Sequence, residues 1–162
     1  MNTSSSNRVI IHVINRLELG GAENSVIRLC GQIKKMSPHT RVILISLRDI
    51  GVADIQDRSE LEIYSCGMRE LHGFTSMVEA SVKLRGILKK FDKKSVVCTW
   101  LYLANALGGI VSLSLGYRKI FWNIRSHGPE TQSIMSTIGL FVSAFLSHVV
   151  PSRVICCSEN SL

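Results

Sequence analysis

The sequence predicts an α/β fold: a doubly wound, mostly parallel sheet of about six strands with helices on both faces. Three observations predict it. Short apolar runs alternate with helical patterns along the chain. The runs are apolar almost throughout, as strands covered on both faces require. The composition, 46% hydrophobic against 19% charged, is that of a packed chain, and 162 residues suffice for one domain with a sizeable core.

The elements follow in order. "RVIIHVI", Arg8 to Ile14, is a β-branched run and reads as a buried strand. Ala22 to Met36 places Val26, Ile27, Leu29, Cys30 and Ile33 at helical spacing, with Lys34 and Lys35 at the end that suits the helix dipole; Pro38 marks the stop. Arg41 to Leu47 is the second strand and Leu61 to Cys66 a short third. Glu79 to Phe91 reads as a basic amphipathic helix with Val82, Leu84, Ile87, Leu88 and Phe91 as its apolar set. Ser95 to Trp100 is strand four, Leu103 to Leu115 a small-residue helix able to pack closely, Arg118 to Ile124 strand five, and Arg153 to Ser158 strand six. Between them, Glu130 to Val150 reads as a long apolar helix. Its charge-free stretch from Ser133 to Pro151 approaches a membrane span in length, but serines and threonines punctuate it, so a helix buried under one sheet face is preferred. Residues 1–7 read as a disordered start without a secretory signal, and residues 8–162 as one domain.

Several function classes are disfavoured. The five cysteines form no CxxC pair and read as buried free thiols in a reducing compartment. The five histidines form no HxxxH or HExxH pattern, so no metal is expected. The net charge of +7 suits polyanions, nucleotide phosphates or an anionic membrane face without choosing among them. The run from Lys83 to Lys94 is read as a solvated face, with membrane contact as the alternative.

In open parallel sheets ligands bind beyond the carboxyl ends of the strands. The residues placed there are Asn15, Arg16, Gly20, Gly21 and Glu23 after strand one, and Trp100, Tyr102 and Asn105 after strand four. Asn123, Arg125, Ser126, His127 and Gly128 follow strand five; Ser158, Glu159 and Asn160 follow strand six. A dehydrogenase-type GxGxxG is missing: the first loop reads "NRLELGGAENS". Its paired glycines either form a turn needing positive φ or leave a helix N-terminus bare for a phosphate or sugar. His127 is the histidine best placed for proton transfer, against a plain solvated loop residue. Arg125 could hold a phosphate or pair with Glu130. His12, inside strand one, reads as a core group.

"HVINRLELGGAENSVIRLC", "TWLYLANALGGIVSLSLG", "FWNIRSHG" and "PSRVICCSENS" resemble, in that order, segments of the N-terminal domain of family 4 glycosyltransferases. The resemblance runs from about Arg8 to Leu162. It implies the acceptor-binding half of a retaining enzyme built of two Rossmann-like domains, transferring sugar from a nucleotide-sugar to a glycan or lipid-linked acceptor in polysaccharide biosynthesis. It implies no cofactor or metal and no nucleic-acid partner. Gly20, Gly21 and Glu23 would form the donor-facing loop. Arg16, Tyr102, Asn105, Arg125, Ser158 and Asn160 would line the acceptor cleft, with His127 as the catalytic group. The family continues past strand six into a nucleotide-sugar domain with paired glutamates, absent from this chain. Alone the chain is then expected to be inactive, and to work with that domain in cis or in trans. The cytoplasm, at the inner face of the membrane, is the expected location. The alternative is a non-catalytic Rossmann-like binding module or one subunit of a split enzyme.

Overall fold

The structure is a computed structural model and describes residues 8–18, 20–50, 61–69, 73–124 and 144–156. Its elements are β1 (Val9–Ile14), α1 (Gly21–Met36), β2 (Arg41–Arg48), β3 (Glu62–Met68), α2 (Gly73–Leu88), β4 (Val96–Trp100), α3 (Tyr102–Ser114), β5 (Lys119–Ile124) and β6 (Arg153–Cys156). The six strands form one sheet in the order β3-β2-β1-β4-β5-β6, and every pairing is parallel. The expected α/β class and parallel, Rossmann-like arrangement therefore hold.

Period-two alternation sorts the core into two layers. Ile11 and Val13 of β1, Ile43, Ile45 and Leu47 of β2, and Val97 of β4 join Leu84 and Leu88 of α2 and Leu107 and Val111 of α3. Their strand neighbours Ile14, Val42, Leu44 and Trp100 point the other way and pack with Val26 and Cys30 of α1. Helices thus cover both faces, which is why the strands lack a polar side.

Helix α3 packs as its small residues predict. A Cβ added at Gly109 would stand 2.7 Å from Val150 Cγ1 and 2.9 Å from Trp122 Nε1, and one at Gly108 3.1 Å from Thr99 Cγ2. Those glycines let α3 lie against β4, β5 and the segment before β6. Tyr117, 1% exposed, ties the far ends of α2 and α3 to the sheet by donating its hydroxyl to the Leu88 carbonyl at 2.8 Å.

Three boundaries differ from expectation. Helix α2 begins at Gly73 rather than Glu79, because its first turns invert the usual pattern. Phe74 and Val78 face solvent, while Ser76 is buried and satisfied by the Arg69 N–H at 2.7 Å. Strand β3 runs two residues past Cys66 to Met68, through Gly67 at φ +63° and a register shift against Ser46 and Arg48. The helix expected to reach Val150 is helical over 144–146 among the described residues and closes in a turn before Pro151. There the Val149 and Val150 N–H groups both return to the Leu146 carbonyl, at 3.0 and 2.9 Å. Residues 130–143 of that helix, the expected disordered start at 1–7 and the last two residues of strand six lie outside the described residues. Among those described, no helix is long and apolar enough to cross a membrane.

Candidate functional site at the carboxyl edge of the sheet

The strand order reverses between β1 and β4, the switch point at whose carboxyl edge open parallel sheets form their ligand crevice. Asn15 braces both margins, with its main-chain carbonyl on one side and its side chain on the other. The Arg48 N–H donates to the Asn15 carbonyl at 2.9 Å, and Leu17, fully buried, bridges in parallel to Ile50. The loop after β1 therefore continues alongside β2 as an anchored extension. The Asn15 Oδ1 accepts the Ala104 N–H at 2.8 Å and so caps α3 from another loop. Helix α3 needs this, since its own N-cap position holds Leu101, with no capping side chain.

Leu101 is the residue that sequence reasoning missed. It sits at φ 71°, ψ 159°, a region populated almost wholly by glycine and costing about 1–3 kcal/mol for other residues. It is the only non-glycine residue at positive φ among those described. Its N–H donates to the Asn123 carbonyl at 3.2 Å, which fixes the turn from β4 into α3. Leucine carries no sequence signal for such a conformation. The missing N-cap residue in "TWLYLAN" was the available hint that the turn is held from outside.

Helix α1 presents the opposite kind of end. Its N-cap is Gly20, with no side-chain hydrogen bond to the first turn. Gly20 has φ −162°, ψ 168°, extended backbone open to any residue, and Gly21 is the first helical residue. Neither glycine is at positive φ, so the turn explanation of the pair falls. At Gly20 a Cβ would collide with the Glu23 carboxylate, whose Oε1 stays 3.5 Å from it. Glu23 thus folds back over its own helix start and is buried, where an acid suits the helix dipole. At Gly21 a Cβ would meet nothing within 4 Å. Nothing in the described fold requires glycine there.

The remaining expected site residues divide into three groups. Arg16 is half exposed and pairs with Glu18 at 3.2 Å. Tyr102 is half-buried at the start of α3. Asn105 is 1% exposed and turned into the fold: its Oδ1 accepts the Thr99 hydroxyl at 2.7 Å and its Nδ2 reaches the Asn123 carbonyl at 3.5 Å. Asn123 in turn donates to the Thr99 carbonyl at 3.2 Å. These groups lock β4, β5 and α3 together beneath the crevice. His127, Arg125, Ser158 and Asn160 lie outside the described residues.

His12 is a core group, as its place in β1 implied. Its Nδ1 accepts the Trp100 indole N–H at 3.1 Å, which leaves the proton of the neutral ring on Nε2. That Nε2 has no hydrogen-bond partner among the described residues. Burial lowers its pKa from 6.5 to about 4. Burial also pushes the thiols of Cys30, Cys66 and Cys98 up, to about 12, 11 and 11, so none is a ready nucleophile. The described residues include no group of three or more histidine, cysteine, aspartate or glutamate side chains able to hold a metal.

No protein-family model matches the chain, and no curated protein sequence matches it. Among solved structures it is similar to the crystal structure of Acinetobacter baumannii MurG, with a TM-score of 0.64 and 14% sequence identity. The likeness covers 96% of this chain and 42% of that one. The chain therefore spans less than half the length of the MurG chain. At this identity the likeness shows the fold alone: a Rossmann-like α/β domain with a six-stranded parallel sheet. It does not single out family 4.

Proposed function

We propose that this domain is the acceptor-side half of a retaining glycosyltransferase, working with a nucleotide-sugar domain in cis or in trans. The observation that carries the proposal is the bare start of α1 at the crevice. Gly21 is required neither by φ nor by packing, which leaves the start of α1 sterically open to a ligand. The first-turn N–H groups and the dipole favour an anionic group such as the donor diphosphate. The neighbouring Glu23 carboxylate accepts hydrogen bonds and repels phosphate, so its fitting partners are sugar hydroxyls. The likeness to MurG and the four ordered segments resembling family 4 support the same reading. His127 and Arg125, which follow β5 in the sequence, are proposed as the proton-transferring and phosphate-pairing groups. Lipid-linked or glycan acceptors, polysaccharide biosynthesis and a cytoplasmic, membrane-apposed location complete the proposal.

The involvement of Asn15, Asn105 and Asn123 in the fold's own hydrogen bonds favours one second reading, a non-catalytic binding module, because it leaves those side chains little to offer a substrate. One experiment separates the two. Gly21→Val is introduced into the assembled enzyme, and sugar transfer and melting temperature are measured together. Transfer should fall at least about tenfold with the melting temperature unchanged, since the new side chain projects into open space beside the first-turn amides. Unchanged transfer, or no transfer by the unaltered assembly from any nucleotide-sugar, would leave the binding-module reading standing.

A further inference from the structure

Asn15 and Asn123 each commit half of a side-chain amide to the fold and leave the other half over. The Ala104 N–H can only donate, so the atom of Asn15 that meets it at 2.8 Å is the oxygen Oδ1. The Nδ2 amino group is therefore the end left over. At Asn123 the assignment is forced in the opposite sense. The Thr99 carbonyl can only accept, so Nδ2 faces it at 3.2 Å and Oδ1 is left. Neither Asn15 Nδ2 nor Asn123 Oδ1 has a partner among the described residues, and neither is among the enclosed polar atoms that lack one. Both are thus open to a ligand. Asn105 differs, since its Oδ1 and Nδ2 both bond within the fold.

The sheet sets their spacing. Ile14, Trp100 and Asn123 stand level on the adjacent strands β1, β4 and β5, and Asn15 follows Ile14. The two asparagines therefore flank the turn from β4 into α3 at two strand spacings, about 10 Å between their backbones. One sugar ring with a hydrogen bond on each side spans that distance. The same two residues hold the turn between them: Asn15 caps α3, and the Asn123 main-chain carbonyl accepts the Leu101 N–H. Their leftover ends are consequently fixed before any ligand arrives, which lowers the entropy lost on binding.

We infer that Asn15 Nδ2 and Asn123 Oδ1 form a subsite for an uncharged, hydroxyl-bearing ring of the acceptor. One fixed donor paired with one fixed acceptor selects this class. A phosphate or carboxylate can only accept and would meet the lone pairs of Asn123 Oδ1. An ammonium can only donate and would meet the N–H groups of Asn15. A hydroxyl does both, so hydroxyls on opposite sides of one ring satisfy both ends. The acceptor therefore presents a neutral sugar here, and any phosphate it carries lies elsewhere. The inference rests on the sugar-transfer reading for the ring's role as acceptor; a binding module would hold the same ring.

The test is nuclear magnetic resonance of the isotope-labelled full chain, titrated with the methyl glycosides of glucose, galactose, mannose and N-acetylglucosamine. At least one glycoside should shift the side-chain amide signals of Asn15 and Asn123 along one saturation curve. The amide of Gln32, in the last turns of α1, should stay in place. Asn15→Asp keeps the oxygen that caps α3 and replaces the leftover donor with a second acceptor. It should hold or raise the melting temperature, because an acid suits a helix start. It should still weaken that glycoside at least about fivefold, the loss of one hydrogen bond. Protonated methyl glucosaminide should bind the variant more tightly than it binds the unaltered chain. Absence of shifts, equal shifts at Gln32, or unchanged glycoside affinity in Asn15→Asp would overturn the inference. So would inorganic phosphate shifting the two asparagine amides more than any glycoside does. Failure here beside the expected loss of transfer in Gly21→Val removes the subsite and leaves the transfer reading standing. A glycoside bound here beside unchanged transfer in Gly21→Val keeps the subsite and removes that reading.

Discussion

His12 gives the chain a specific acid sensitivity. The ring is 1% exposed, accepts the Trp100 indole proton at Nδ1, and has its pKa lowered from 6.5 to about 4 by burial. The unfolded chain therefore binds a proton more readily than the folded one. The ring costs no stability above the unfolded value, the loss grows as the pH falls from about 6.5 to about 4, and it levels off below that. A displacement of that size corresponds to about 3 kcal/mol at ~1.36 kcal/mol per pH unit, and the depth of burial leaves little solvent screening to discount. His12→Gln keeps an acceptor for Trp100 and removes the titration. Urea unfolding of both proteins at about pH 7 and about pH 4 isolates the term, because the carboxylates contribute equally to each. The unaltered chain should lose about 3 kcal/mol more than the variant between the two conditions. Parallel losses would refute the account of a neutral, buried ring.

Two further outcomes test the framework around the crevice. Leu101→Gly should be more stable than Leu101→Ala by about 1 kcal/mol or more in urea unfolding, because both remove the side chain and glycine alone accepts φ 71°; the reverse order would mean that the backbone there is unstrained. Gly109→Ala should lower stability by about 1–3 kcal/mol, since its Cβ would press on Val150 and Trp122, and a neutral result by thermal melting would contradict the close packing of α3.

The strands and their shared direction were legible because β1, β2, β4 and β5 are Val/Ile-rich runs whose neighbours point to opposite, equally apolar layers. What escaped the sequence was set by tertiary partners. The start of α2 was hidden because Ser76 faces inward, satisfied by Arg69, while Phe74 and Val78 face out. The end of β3 was hidden because it passes through Gly67, which reads as a turn. In the site, the position of the paired glycines at the head of α1 was legible, but their cause was not: φ is ordinary at both, and Gly20 gives way to Glu23, a contact set by the fold of the helix start. Asn105 follows a strand and so reads as a crevice residue, yet helical geometry turns it onto Thr99 and Asn123. Asn15 likewise reads as a free loop amide and is the cap of a helix far along the chain.

The central claim is that the start of α1 is open to an anionic ligand. It is tested most directly by adding pyrophosphate, the group a nucleotide-sugar would present, to the isotope-labelled chain and following its amide resonances. The account predicts saturable shifts at Gly21, Ala22 and Glu23, lost in Gly21→Val without a change in melting temperature. Shifts confined to residues around Arg85, Lys89 and Lys93, or unchanged shifts in Gly21→Val, would contradict it.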